Sequence, residues 1–338
     1  MESSAGIAER GAAPGAVGGV ERPGRRLPRR DGGSAAAPAG RFERARPRAA
    51  ELLAHVGDYL ALTKPRIISL LLWTTVATML VARPEGLALS TVLWTCLGGY
   101  LAAGGAGAIN HYIDRDIDAR MGRTRGRPIV SGRIAPIHGL VFGIALGVLA
   151  TVQLALTVNV LAAALALGGL LGYVLLYTAW LKPRTPQNIV IGGAAGAMPP
   201  LVGWAAATGG LTLEALIPFA IVFLWTPPHF WALSLMISDD YERTGVPMLP
   251  VVRGAEFTRK RILAYSVLLV AFTLLPVATG MFGALYLVAA VVLGIGFLGL
   301  AAILLREPSK RAALRLYLSS LAYLFVLFAA MAADRLLA

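Results

Sequence analysis

The sequence predicts an all-α, polytopic membrane protein of nine spanning helices, and three observations predict it. Of its 338 residues 57% are hydrophobic and only 14% charged, where a soluble protein carries about 25% charged residues; the mean hydropathy is +0.69. Apolar runs of roughly 20 residues recur along the chain, each long enough to cross the hydrocarbon of a bilayer. The formal charge of +13 gathers between those runs and builds no nucleic-acid module, so it reads as a topology signal. The lipid bilayer, not nucleic acid, is the expected partner.

Taken in order, residues 1–50 are rich in Gly, Ala, Pro and Arg and poor in bulky apolar side chains. They cannot bury enough surface to fold and are expected to form a disordered basic tail at the anionic cytoplasmic surface, with residues 51–338 as the transmembrane domain. The tail has no apolar stretch of the kind a secretory signal needs. Glu2, Glu9, Glu21 and Asp31 interrupt what would otherwise read as a mitochondrial presequence, since those are acid-poor. A bacterial inner membrane is therefore expected rather than a mitochondrial inner membrane.

Spans are expected at 66–82, 87–109, 136–156, 160–180, 187–208, 213–236, 262–280, 283–305 and 314–334. The segments around Lys64 and Arg66, from Arg115 to Arg133, at Lys182 and Arg184, from Arg243 to Arg261 and from Arg306 to Arg315 are basic. Those near Arg83, Asn159, Gly209 and Gly280 are short and nearly uncharged. By the positive-inside rule the basic segments and the N-terminus are cytoplasmic, and an odd span count puts the C-terminus outside. Glycines at 98, 99, 104, 105 and 107 and at 192, 193 and 196 let membrane helices approach closely. Pro199-Pro200 and Pro227-Pro228 lie inside spans, where each pair removes backbone hydrogen bonds and kinks its helix. Freed carbonyls must face protein or a wet cavity, so the fifth and sixth spans are expected to border a central cavity. Cys96, the single cysteine, supports neither a disulfide nor a thiolate metal site.

The most informative stretch is polar and follows the second span directly: Asn110-His-Tyr-Ile-Asp114-Arg-Asp116-Ile-Asp118. Charges beside hydrocarbon are costly and mark function. Asn110, Asp114 and Asp118 are spaced i, i+4, i+8, which sets them on one helix face within roughly 80° of one another. Arg120, Arg123, Arg125, Arg127 and Arg133 follow. Two carboxylates and an amide beside arginines suit a metal-bridged polyphosphate, because Mg2+ is held by one or two carboxylates plus substrate phosphate oxygens. The alternative is a charged loop that merely flanks a span.

A second acidic segment, Ser238-Asp239-Asp240-Tyr241-Glu242-Arg243, ends the sixth span on the same side. Two such segments can each hold a magnesium ion on one diphosphate; the plainer reading is a solvated membrane-edge loop. His229, in Trp225-Thr-Pro-Pro-His-Phe-Trp231, lies about two turns inside that span, as either a helix-to-helix hydrogen-bond partner or a substrate contact. Lys182 and Arg184 follow Tyr177-Thr-Ala-Trp-Leu at a third cytoplasmic span end. They are either snorkelling flank residues or phosphate contacts.

Asn110-x-x-x-Asp114-x-x-x-Asp118 resembles the first aspartate motif of the UbiA-type intramembrane prenyltransferases. Thr63-Lys-Pro-Arg66, Asn110 to Pro128, Lys182 to Pro200, Trp225 to Trp231 and Asp240 to Gly254 resemble the branch of that family that farnesylates heme. The resemblance covers about residues 58–335. It implies a nine-helix bundle with a central cavity open toward the membrane, and transfer of farnesyl from farnesyl diphosphate to a vinyl group of heme b, giving heme O. It implies Mg2+ as cofactor and, as a candidate partner, heme A synthase, which would take the product. Residue by residue, it implies that Asn110, Asp114 and Asp118 hold magnesium and diphosphate, with Asp114, Asp118 and Asp240 as metal ligands. Arg123 and Arg127 would contact the diphosphate, helped by Lys64 and Lys182. From the residues themselves, Tyr177, His229 and Asp239 are expected as further substrate contacts. Many family members carry Asp where this chain has His111, and a second D-x-x-x-D where this chain has Thr244 four residues after Asp240.

A quinone precursor or a chlorophyll is the alternative acceptor, and the stretches Trp225–Trp231 and Asp240–Gly254 argue against it. From other classes come a transporter, which would show inverted repeats and mid-depth acids, and a heme-binding structural subunit, which needs no diphosphate site.

Overall fold

The computed structural model describes residues 48–338. The tail expected over 1–50 therefore lies outside the described residues except for its last three positions, which begin a helix. Every regular element among the described residues is helical, and nine helices there are long and apolar enough to cross a membrane. With their outward Leu, Ile and Val side chains bare, as at Leu156, Val160 and Leu213, this is an integral membrane protein.

Helix α1 (Arg48–Thr63) precedes the first span, α2 (Pro65–Ala82). Lys64 joins them in the left-handed conformation, at φ 59° and ψ 55°; it is the only non-glycine residue with positive φ among those described. Pro65 then starts α2 at the position where a missing N–H costs nothing. The second span, α3 (Leu89–Ile113), is followed at once by the short α4 (Arg115–Arg120). The third is α5 (Pro136–Thr157), again opened by proline. The fourth is α6 (Val160–Leu171), capped by the Asn159 side chain on the Ala162 N–H and continued by a π-helical stretch, Gly172–Leu181. The fifth is broken at Ala197 into α7 (Asn188–Gly196) and α8 (Met198–Thr208), the kink expected of Pro199-Pro200. Pro227-Pro228 instead sit within a continuous helix, α9 (Leu216–Met236). Next come α10 (Ser238–Thr244), α11 (Leu249–Ala278), α12 (Ala284–Arg306) and α13 (Lys310–Leu337).

The span edges agree with expectation except at the seventh, where α11 begins at Leu249 instead of 262. The charged stretch Arg253 to Arg261 is helical, and the helix is interrupted at Gly254 (φ 79°, ψ 162°). Charge had argued for a loop there, yet a helix outside the hydrocarbon tolerates it. Helix α1 was not expected at all.

Small residues hold the spans together. At Gly105 and Gly143, where α3 crosses α5, a Cβ on either glycine would come within 2.8 Å of the other's carbonyl oxygen. At Gly203 a Cβ would lie 2.3 Å from the Thr75 carbonyl oxygen, so α8 and α2 touch backbone to backbone. Helices α9, α11, α12 and α13 pack around a large aromatic-rich core that includes Tyr286, Tyr323 and Phe328. Helices α2, α3, α5, α6 and α8 share a second core of Met79, Leu154, Val202 and many alanines.

Candidate functional site

The polar stretch after the second span is helical almost throughout. The chain turns at Asp114, yet its N–H still reaches the Asn110 carbonyl at 2.9 Å, and the Asp118 N–H reaches the Asp114 carbonyl at 2.8 Å. The i, i+4, i+8 face therefore survives the junction of α3 and α4, and all three side chains are buried.

Three cations from three different segments converge on that face. Lys64 donates to Asn110 Oδ1 at 2.7 Å. Lys182, just after the π-helical stretch, donates to Asp114 Oδ2 at 2.5 Å. Arg127 pairs with Asp118. The Asn110 amide donates to Asp114 at 2.7 Å and to Thr178 Oγ1 at 3.2 Å. Thr178 in turn donates to the Tyr173 carbonyl at 2.8 Å, five residues back, the carbonyl that the π-helical repeat sets beside it. Thr124 donates to the Asp118 carbonyl at 2.8 Å and ties the arginine-bearing loop to the helix. Three cations face two carboxylates, an excess of positive charge suited to an anion. Burial, and after it the nearby Arg127, pulls the half-buried Lys64 ammonium down to about 7 against the opposing pull of Asp114.

The second acidic segment reaches this cluster by another residue than expected. Helix α10 packs on α4, so the two segments do meet. The Asp240 carboxylate, however, pairs with Arg243 on its own helix. Asp239 is exposed and lies 4.0 Å from Lys310. It is Tyr241 that is buried and close enough to feel Arg123, Asp114 and Arg127; burial pushes its phenol up to about 12 and keeps it a hydrogen-bond donor. Tyr173 and Tyr177 also lie within reach of the Asp114 charge. Sequence reasoning named Tyr177 but missed Tyr173, Thr178 and Tyr241. The only signal for Tyr241 was an aromatic set among acids at a span end. Arg123 is exposed and makes no hydrogen bond among the described residues.

His229 lies apart from this cluster. Its Nδ1 is 2.6 Å from Ser320 Oγ, and its ring is stacked between Trp225 (centroids 4.2 Å apart) and Tyr317 (4.8 Å). That is a bridge between α9 and α13. His111 is buried with both ring nitrogens unpartnered.

Among the described residues no three acidic, His or Cys side chains gather as a metal cage; Asp240 does not join Asp114 and Asp118. The donors that do gather are hard oxygens, two carboxylates and an amide. That set fits a magnesium ion that completes its coordination with phosphate oxygens and water.

Below the cluster lies a cavity of about 240 Å³. Its upper end is formed by Thr63, Lys64 and Tyr173, and its walls are apolar surfaces of α2, α3, α6, α7 and α8. Pro199, at the kink of the fifth span, lines it; no residue of α9 does. Of the two proline-bearing spans expected to kink and border a cavity, only the fifth is broken and borders this one.

Residues 71–329 match the model of the UbiA prenyltransferase family. A protein named protoheme IX farnesyltransferase from Roseiflexus sp. (strain RS-1) is 57% identical over 279 residues, 82% of this chain and 52% of that protein. The chain thus spans about half the length of that relative. A protein of the same name from Alkalilimnicola ehrlichii is 53% identical over 281 residues, 83% of this chain and 93% of that one. Among solved structures, a UbiA homolog from Archaeoglobus fulgidus bound to DMAPP and Mg2+ has a TM-score of 0.59 at 17% identity, covering 80% of this chain and 99% of that one. At that identity it speaks for the fold.

Proposed function

The chain belongs to the UbiA prenyltransferase family, and from that premise we propose that it transfers farnesyl from farnesyl diphosphate to a vinyl group of heme b, giving heme O and diphosphate. The observation that carries this reading is the juxtaposition of a cation cluster, Lys64, Arg127 and Lys182 around Asn110, Asp114 and Asp118, with an apolar cavity directly beneath it. The name shared by relatives 53–57% identical to this chain supports heme as the acceptor.

Asp114 and Asp118, with Asn110, would hold magnesium, which when bound supplies Lewis-acid stabilisation of the leaving diphosphate. The protein's own part is electrostatic. Lys64, Lys182 and Arg127 bind the diphosphate and oppose the charge that develops as the bond from farnesyl C1 to oxygen breaks. Tyr241 and Arg123 extend the same donor set from the loop side. The apolar walls keep water from the allylic cation until the vinyl carbon has attacked. The new carbon–carbon bond leaves a cation beside the porphyrin ring, which water captures with loss of a proton. Asp240, Asp239 and Tyr177 are proposed as outer contacts of the diphosphate, and His229 as a support for the heme side. The site faces the cytoplasm of a bacterial inner membrane, with the N-terminus on that side, and heme A synthase is the proposed recipient of the product.

The test is direct. Purified protein in lipid, given heme b, farnesyl diphosphate and magnesium, should yield heme O by mass, and none without any one of the three. Farnesylation of a quinone precursor with heme b untouched would overturn the acceptor. Absence of any prenyl transfer would overturn the reading altogether.

A further inference from the structure

The cavity under the cation cluster has a floor, and its depth can be read along two helices. Lys64 and Asn110 meet at the top. From there the cavity is lined down α2 to Thr75 and up α3 to Gly99, eleven residues on each. At 1.5 Å per residue that is roughly 16 Å. The lining ends at the Thr75 level, where α8 meets α2 backbone to backbone at Gly203. One helical turn deeper sits Met79, fully buried, in a packed cluster with Val202, Ala166 and Ala102, three residues that also line the cavity.

We propose that this floor, Thr75 against Gly203 with Met79 plugging the space behind, sets the length of the prenyl chain at three isoprene units. The inference rests on the proposed prenyl transfer and adds to it the residues that choose the donor. An extended chain covers at most about 3.5 Å per three bonds. The eleven main-chain bonds of a farnesyl group then reach on the order of 13 Å, the seven of a geranyl group about 8 Å and the fifteen of a geranylgeranyl group about 18 Å. A cavity of roughly 16 Å takes an extended farnesyl chain, leaves a geranyl chain with unfilled space and forces a geranylgeranyl chain to bend out of its extended form. Unfilled apolar space forfeits contacts, and an overlong chain must bend or displace packed side chains, so both directions discriminate.

The experiment measures affinity first and turnover second. Geranyl, farnesyl and geranylgeranyl thiolodiphosphates, which carry a poor leaving group, are titrated into the full chain with magnesium and without heme. Wild type should bind the farnesyl compound best. Met79→Ala should shift the ratio of geranylgeranyl to farnesyl affinity upward by about tenfold, the value of roughly two buried methylenes. Met79→Leu, which keeps the volume, should leave it unchanged. Ala102→Leu, which fills the cavity three residues above Gly99, should shift preference toward geranyl by a similar factor. Should Met79→Ala fail to fold, Ala102→Leu decides alone, since it adds side chain to an existing space. Unchanged affinity ratios in folded Met79→Ala or Ala102→Leu overturn the proposal. So does a change in heme affinity with the prenyl ratios intact, which would assign the cavity to the other substrate. Variants that show the shifts, together with a wild type that makes no heme O, would retain the floor and overturn only the acceptor.

Discussion

Asp114 and Asp118 are each buried against a cation, unlike the side chains of a charged loop that merely flanks a span. Replacing either by Asn keeps the shape and removes the negative charge that the proposed magnesium site requires. Asp114→Asn and Asp118→Asn should each lower turnover by at least about a hundredfold, with the variants still inserted and monodisperse; near wild-type turnover at saturating magnesium would refute the metal role. Lys64 makes a different prediction. Its ammonium touches Asn110 and no carboxylate, so a bound anion would be its principal counter-charge. Lys64→Met should weaken binding of inorganic diphosphate by about tenfold, the scale of one charge-assisted hydrogen bond, and calorimetric titration would show it. His229 reads as a seam residue. His229→Ala removes a hydrogen bond to Ser320 and a stacked ring, so thermal stability should fall and affinity for both substrates with it; a stable variant with only its heme spectrum altered would make the ring a substrate contact. At this scale the sequence was informative where spacing carried the message. Asn110, Asp114 and Asp118 share a face because the helical period says so. Tyr241 and Thr178 were invisible because their place depends on two helices meeting, which no periodicity in one helix encodes.

Helices were legible in proportion to the apolar run that makes them. The nine spans follow from hydrophobic length alone, and their ends drift where charge and helix coexist, as in α11. Helix α1 has no uninterrupted apolar run, so nothing announced it. Its role is visible only in packing. Asp58 on α1 accepts from Arg133 at 2.8 Å, and Arg133 also donates to the Gly126 carbonyl at 3.0 Å. This strap fixes the loop whose Arg127 holds Asp118. Asp58→Asn should therefore raise the KM for farnesyl diphosphate severalfold with kcat little changed, and the exchanged pair Asp58→Arg with Arg133→Asp should recover part of it. An unchanged KM would make the strap a surface ion pair of the ordinary weak kind. Contacts between helices were likewise unreadable in detail. A glycine-rich span announces close approach, but only the fold says that Gly203 meets Thr75. Gly203→Val drives a side chain into that carbonyl and should cost on the order of 1–3 kcal/mol, seen as a lower Tm.

For the molecule as a whole, orientation decides whether the site can meet its substrates. Lys64, the Arg120–Arg133 segment, Lys182 and α10 all stand at one end of the bundle, since they pair with or pack on one another. The opposite ends carry the short uncharged connections near Gly209 and Gly280. Retention of basic segments on the cytoplasmic side would then put the site inside, with Lys64 before the first span and Asn110 at the end of the second on that one side. Because Cys96 is the only cysteine, Cys96→Ala gives a chain on which single reporters can be set. Ser131→Cys, beside the site, should react with a membrane-impermeant maleimide only in inside-out vesicles. Gly210→Cys, at the far end, should react only in right-side-out vesicles. The reverse pattern would turn the bundle over and place the diphosphate cluster on the face away from the cytoplasm, where the proposed donor would have to cross the bilayer to reach it.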